Sequence, residues 1–123
     1  MPRPDPELHD HLDDDGYPTE GTLKAIEEWS HQEGWKALLD WVCELWHYGD
    51  WGWEVRKDEM DYGSVIAKRR SYILRTGGWS GNEDIIYALS RNFVFYGSCW
   101  RGSARGGSHV YEVDETIVKT GEQ

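Results

Sequence analysis

Between residues 75 and 84 the chain reads Arg75-Thr76-Gly77-Gly78-Trp79-Ser80-Gly81-Asn82-Glu83-Asp84, a strand-forming stretch that passes through glycines into a helix-forming one. Such a junction leaves backbone N–H groups unpaired at the positive end of a helix, where they attract an anion. Gly78, Ser80, Gly81 and Asn82 supply those groups, and the Trp79 indole beside them offers a flat face for a base. Ser80 and Glu83 stand at capping-box spacing, which marks the helix start. Arg75, Arg101 and Arg105 carry guanidinium groups of the kind that hold phosphate in a two-pronged way, and Tyr96 and Trp100 add stacking surfaces. Each residue also has a structural use: glycines make tight turns, and hairpin arginines are commonly solvated.

The familiar catalytic patterns are missing. No Gly-Lys-Ser/Thr follows the glycines, so this is not a Walker loop, and G-x-G-x-x-G is absent. There is no G-x-S-x-G elbow, no H-E-x-x-H and no deaminase pattern. His47 and His109 are acid–base candidates because imidazole titrates near neutrality, but local spacing ties neither to an acid or a nucleophile. These residue types therefore point to a non-catalytic binding protein with no cofactor and no metal. His9-Asp10-His11 and Asp13-Asp14-Asp15 are metal-ligating types without a framework to fix their geometry. Cys43 and Cys99 stand in no metal-binding or redox spacing, and two reduced, packed thiols are expected.

Charge is unevenly distributed within a net −10. Residues 1–61 hold 17 acids and 5 bases, a balance of −12, whereas residues 62–111 hold 2 acids and 7 bases, a balance of +5. Local positive potential on an acidic protein suits a small anionic ligand in a pocket, not a long nucleic acid across the surface. Eight Trp and seven Tyr against two Phe favour sites where a large flat body carries a polar atom. The first residues carry no apolar run of the kind that forms a signal peptide or membrane span, so a cytoplasmic location is expected.

The elements that must position these residues follow from periodicity. Residues 1–18 read as a mobile acidic arm, 19–116 as one domain and 117–123 as a tail. A first helix is expected from Thr19 to about Ser30 on Leu23, Ile26 and Trp29. A stronger one carries Trp35, Leu38, Leu39, Val42, Leu45 and Trp46 on one face, with Trp41 at its edge, nearest the surface, and Gly49-Asp50 at its end. Trp51–Arg56 alternates as a strand, Lys57–Tyr62 reads as a loop, and residues 65–76 form a second strand. A short helix from the glycine junction to Arg91-Asn92 precedes a β-rich run at Phe93–Arg101, expected as a central strand. Gly102–Gly107 is a turn, and His109–Val113 is the returning strand. The expected fold is α+β, a single domain of order ααββαββ: two N-terminal helices, then a mainly antiparallel four-stranded sheet with one inserted helix.

Glu44-Leu45-Trp46-His47-Tyr48-Gly49-Asp50-Trp51-Gly52-Trp53 and Thr76–Ile86, with Trp100-Arg101 and Arg105-Gly106-Gly107, resemble segments of a group of small bacteriophage accessory proteins without an assigned activity. The resemblance covers roughly residues 19–113. It implies a phage setting, in which small proteins oppose host defence and some sequester cyclic nucleotide signals. Two functions are expected from different classes. One is sequestration of a small phosphate-bearing nucleotide, such as a cyclic nucleotide or a cyclic ADP-ribose signal, in a homo-oligomer. The other is an acidic inhibitor that binds a host nucleic-acid-binding or defence protein through Asp13–Asp15, Glu27, Glu28, Asp58, Glu59 and Asp61, anchored by Trp41.

Overall fold

The computed structural model describes residues 11–47 and 51–118. Helix α1 (Glu20–Glu28) starts at Thr19, whose side chain accepts the Thr22 N–H at 3.2 Å and so satisfies one of the donors that a first turn leaves over. A 3-10 turn at His31–Glu33 and Gly34, at φ 91°, lead into α2 (Trp35–Leu45). The expected apolar stripe of α2 is the centre of the core, with Leu38, Leu39, Val42 and Leu45 all buried.

Trp41 departs from expectation. It has no exposed surface, and its ring lies 5.7 Å from that of Trp29 and 5.2 Å from that of His11. The cover comes from residues 11–18, part of the expected mobile arm, which fold back on α1 and α2. The Thr22 hydroxyl donates to the His11 carbonyl at 2.8 Å, and the Asp13 carboxylate accepts the Asp15 and Tyr17 N–H groups, each at 2.9 Å. An arm read as too polar to pack is thus held by backbone bonds and one buried imidazole. The rest of the arm, the expected α2 stop at Gly49-Asp50 and residues 119–123 lie outside the described residues.

Four strands follow: β1 (Trp53–Asp61), β2 (Val65–Arg75), β3 (Trp100–Ala104) and β4 (Ser108–Val118), in the antiparallel order β1-β2-β4-β3. Strand β1 continues through Lys57–Asp61, expected as loop, because Asp58 and Glu59 face Arg69 and Lys68 across the hairpin and opposite charges stabilise such pairs. Tyr72, Leu74 and Tyr111 form the buried face of the sheet. Strand alternation turns Ser71, Ile73 and Arg75 to the other face. The helices join the sheet through Trp46 Nε1–H, which donates to the Arg75 carbonyl at 3.0 Å, and the Tyr72 hydroxyl, which donates to Asp40 at 2.8 Å.

Helices α3 (Ser80–Arg91) and α4 (Phe93–Cys99) are inserted between β2 and β3. The run 93–99 is therefore helical where a central strand was expected, and the short β3 that follows is an edge strand. Asn92 decides this locally. Its side-chain Oδ1 accepts the Phe95 N–H at 3.2 Å, while its Nδ2 donates to Ile26 O at 3.0 Å and Trp29 O at 2.9 Å. A cap anchored to α1 outweighs the β-propensity of Phe93-Val94-Phe95-Tyr96. The architecture is a single α+β domain. Among the described residues no helix is long and apolar enough to cross a membrane.

Candidate functional site

The glycine junction is a tight turn. Gly77 and Gly78 adopt φ 64° and 76°, a left-handed pair that side chains resist. The Trp79 N–H closes the turn on Thr76 O at 3.1 Å, and the Gly78 N–H donates to Thr76 Oγ1 at 3.3 Å. Leaving this turn, the chain enters α3 one residue earlier than capping-box spacing suggests. Trp79 is the N-cap, with no side-chain cap bond. Ser80 instead donates its hydroxyl to the Tyr17 hydroxyl oxygen at 3.3 Å, so the expected Ser80–Glu83 box does not form.

On one flank of this turn the chemistry-bearing residues are consumed by packing. The Trp79 ring lies 4.3 Å from that of His47, nearly parallel, and 4.6 Å from that of Tyr17. A Cβ built at Gly81 would overlap the Trp79 ring, so this glycine makes room for the indole. Asn82 is wholly buried; its amide oxygen accepts the His47 N–H at 3.0 Å, and its nitrogen donates to His47 O at 3.0 Å and Thr76 O at 3.3 Å. The side chain of Asn82 is a clamp between two loops.

Two of the three expected cations are matched by carboxylates. Arg75 donates to Glu54 at 2.7 Å and to Trp51 O at 3.3 Å, and its bond holds the Glu54 carboxyl below the usual carboxylate range. Arg101 donates to Glu112 at 3.0 Å and to the carbonyls of Ser98 and Trp100. Tyr96 and Trp100 stack on one another, with centroids 5.1 Å apart and planes 14° apart. Arg105 differs: it sits exposed in the β3–β4 turn and forms no ion pair among the described residues. The ten expected site residues thus occupy separate places: the packed flank of the turn, the sheet face with its ion pairs, the Tyr96–Trp100 stack and the hairpin tip.

The other flank is open. The Thr76 N–H donates to Gly107 O at 3.0 Å, which brings the glycine turn against the turn that carries Arg105. Beside this contact lies a cleft of about 290 Å³, walled by Glu83, Ile86, Tyr87 and Ser90 from α3, with Thr76, Gly107 and His109 opposite. Gly107, at φ 82°, packs its Cα against the Thr76 hydroxyl so closely that a Cβ there would overlap it. His109 is half-buried, and burial holds its imidazole below its usual range, with the Glu83 carboxylate opposing. Its Nδ1 lies 2.8 Å from Ser103 Oγ, which accepts the Trp100 Nε1–H at 3.0 Å.

Sequence reasoning named His109 but missed Glu83, Ile86, Tyr87 and Ser90 as a wall. Their signal was present, because steps of three, one and three residues place them on one helix face. Cys43 and Cys99 are free and buried, and burial pushes their thiols up to about 12 and about 11, which leaves little nucleophilic thiolate. Among the described residues no group of three or more His, Cys, Asp or Glu is arranged to hold a metal ion. Set against protein-family models, curated proteins and solved structures, the chain matches none.

Proposed function

We propose that the protein binds and sequesters a small phosphate-bearing nucleotide, without transforming it, in the cleft between α3 and the β3–β4 turn. The observation that carries this reading is the Thr76–Gly107 hydrogen bond, which joins a glycine turn at a helix start to a glycine turn bearing an exposed arginine with no ion pair among the described residues. The Arg105 guanidinium at the second suits phosphate oxygens, while the Gly78 and Trp79 N–H groups of the first are spent on Thr76 and fix the turn that faces it. Tyr87, 62% exposed on the cleft wall, offers its ring to a base. A volume of about 290 Å³ matches the small end of ligand sites.

Sequestration requires that the ligand be mostly enclosed, so a second copy of the chain closes the open side in this proposal. The resemblance to phage accessory proteins supplies a setting, with a cyclic nucleotide or cyclic ADP-ribose signal as the ligand. Thermal-shift measurement against mononucleotides, cyclic dinucleotides and cyclic ADP-ribose tests it. A ligand at a hundred times its Kd adds about 2.7 kcal/mol to folding, and Arg105→Ala removes about half of that gain. Absence of a shift with every nucleotide at millimolar concentration refutes it.

One observation favours the second reading. Phe93 and Val94 at the start of α4 are 81% and 61% exposed, an apolar pair of the kind that anchors a protein partner. Trp41, the expected anchor of that inhibitor, is interior, so Phe93 takes its place. Phe93→Ser should then abolish capture of the host defence protein while leaving any nucleotide-induced shift intact.

A further inference from the structure

Ser103 Oγ accepts the Trp100 Nε1–H at 3.0 Å and lies 2.8 Å from His109 Nδ1, a contact in which either group can be the donor. Where the hydroxyl donates, Nδ1 accepts and the proton of the neutral imidazole sits on Nε2. In that tautomer His109 has an N–H donor for the cleft it lines. Across from it Glu83 presents a carboxylate that is exposed and makes no ion pair among the described residues. Tyr87, one helical turn further along α3, contributes a ring whose hydroxyl oxygen accepts from Arg91 Nη1 at 3.3 Å and over which the Arg91 guanidinium lies, 5.5 Å from the centroid, so the opposite face is the one left for a base.

A single N–H donor beside a two-oxygen acceptor complements one nucleobase edge better than the others. Guanine carries adjacent N1–H and N2–H donors that a carboxylate takes two at a time, next to an O6 acceptor. Adenine offers one amino group and a ring nitrogen, so it uses half of the carboxylate. Cytosine and uracil are smaller and stack less surface on a phenol ring. Enzymes that read an unstacked base do so by its Watson–Crick edge and an aromatic platform, the combination available here.

We propose that the cleft selects guanine, with Glu83 accepting N1–H and N2–H, His109 Nε2–H donating to O6, Tyr87 stacking on the ring, and Trp100 and Ser103 acting as positioning residues for His109. This assignment rests on the nucleotide reading above and adds the base to it, which favours a guanine-bearing cyclic nucleotide over the adenine-bearing cyclic ADP-ribose. Glu83 is a poor neighbour for phosphate, which places the anionic end of the ligand towards Gly77 and Arg105 and the base along α3.

Calorimetric titration of the full chain with GMP, IMP and AMP tests the assignment. GMP should bind about tenfold tighter than AMP, the size expected of one two-pronged base contact, with IMP, which lacks the N2 amino group, between them. Glu83→Gln should weaken GMP and abolish its preference over AMP, because a carboxamide cannot accept two N–H groups from guanine yet still pairs with adenine; the substitution is isosteric and exposed, so an unaltered melting temperature is its control. Ser103→Ala should weaken GMP more than AMP, whereas a merely structural serine would weaken both alike. If the three nucleotides bind equally and all weaken in Arg105→Ala, the guanine assignment is overturned while the nucleotide reading stands. If none binds, the guanine assignment falls, and the nucleotide reading falls with it when cyclic dinucleotides and cyclic ADP-ribose also give no thermal shift.

Discussion

The two flanks of the glycine turn use similar residues for opposite ends. On the Trp79 flank an indole, a phenol, an imidazole and a carboxamide close on each other: Trp79 is against Tyr17 and His47, and Asn82 spends its hydrogen bonds on His47 and Thr76. On the His109 flank a carboxylate, a phenol ring and an imidazole face open space. Residue type does not separate them. What separates them is whether a neighbouring segment arrives to complete the bonds: residues 11–18 and His47 do so on the first flank, whereas among the described residues the second is met by a short hairpin turn alone. The first flank builds the turn that the second uses.

Breaking the closed flank should have the largest effect. Asn82→Ala leaves the His47 N–H and two carbonyls without their partner, and buried groups orphaned in this way cost about 3 kcal/mol in total; denaturant unfolding should show that loss, with the cleft collapsing as the turn loosens. Gly81→Ala drives a methyl group into the Trp79 ring, which overpacking arguments put at about 2 kcal/mol, and near-ultraviolet circular dichroism should report the displaced indole. A fall of less than half a kcal/mol in either variant would mean that the aromatic cluster is not what holds the turn.

Breaking the open flank should leave stability alone. Arg105→Ala is expected to weaken nucleotide binding about tenfold, the worth of one charge-assisted contact, with no change in melting temperature. The smallest effect is a pH dependence. His109 is held below its unfolded value by burial, so the unfolded chain takes up the proton more readily. The stability that its neutral form contributes is complete above the unfolded value near 6.5 and is lost as the pH falls from there through the folded value. Melting curves between pH 7.5 and 5 should show a loss in the native chain that is smaller in His109→Gln. An equal loss in both would assign it to other groups.

Much of the fold was legible because it rested on periodicity. The stripe of α2 and the β2 alternation around Tyr72 and Leu74 are local patterns, and they stand; the hairpin turn expected at Gly102–Gly107 is shorter, residues 105–107, because Gly102–Ala104 pair with β4. Two departures have a common cause. Residues 93–99 became helix because the Asn92 side chain reaches back to Ile26 and Trp29, and Trp41 became interior because His11 covers it. In both cases a residue distant in sequence supplied the deciding contact. The same limit applied to the site. The glycine turn and the Arg105 turn, far apart in sequence, meet at Thr76 and Gly107. The pairing of Arg75 with Glu54 and of Arg101 with Glu112 depends on strand register, which no spacing within one strand reveals.

The central claim is that the open flank, not the indole flank, holds the ligand. Backbone amide chemical shifts during a nucleotide titration test it most directly. The account predicts that the largest changes centre on Thr76, Glu83, Tyr87, Gly107 and His109, with Tyr17 and Trp79 nearly still. Changes centred instead on Tyr17, His47 and Trp79, or none at saturating nucleotide, would contradict it.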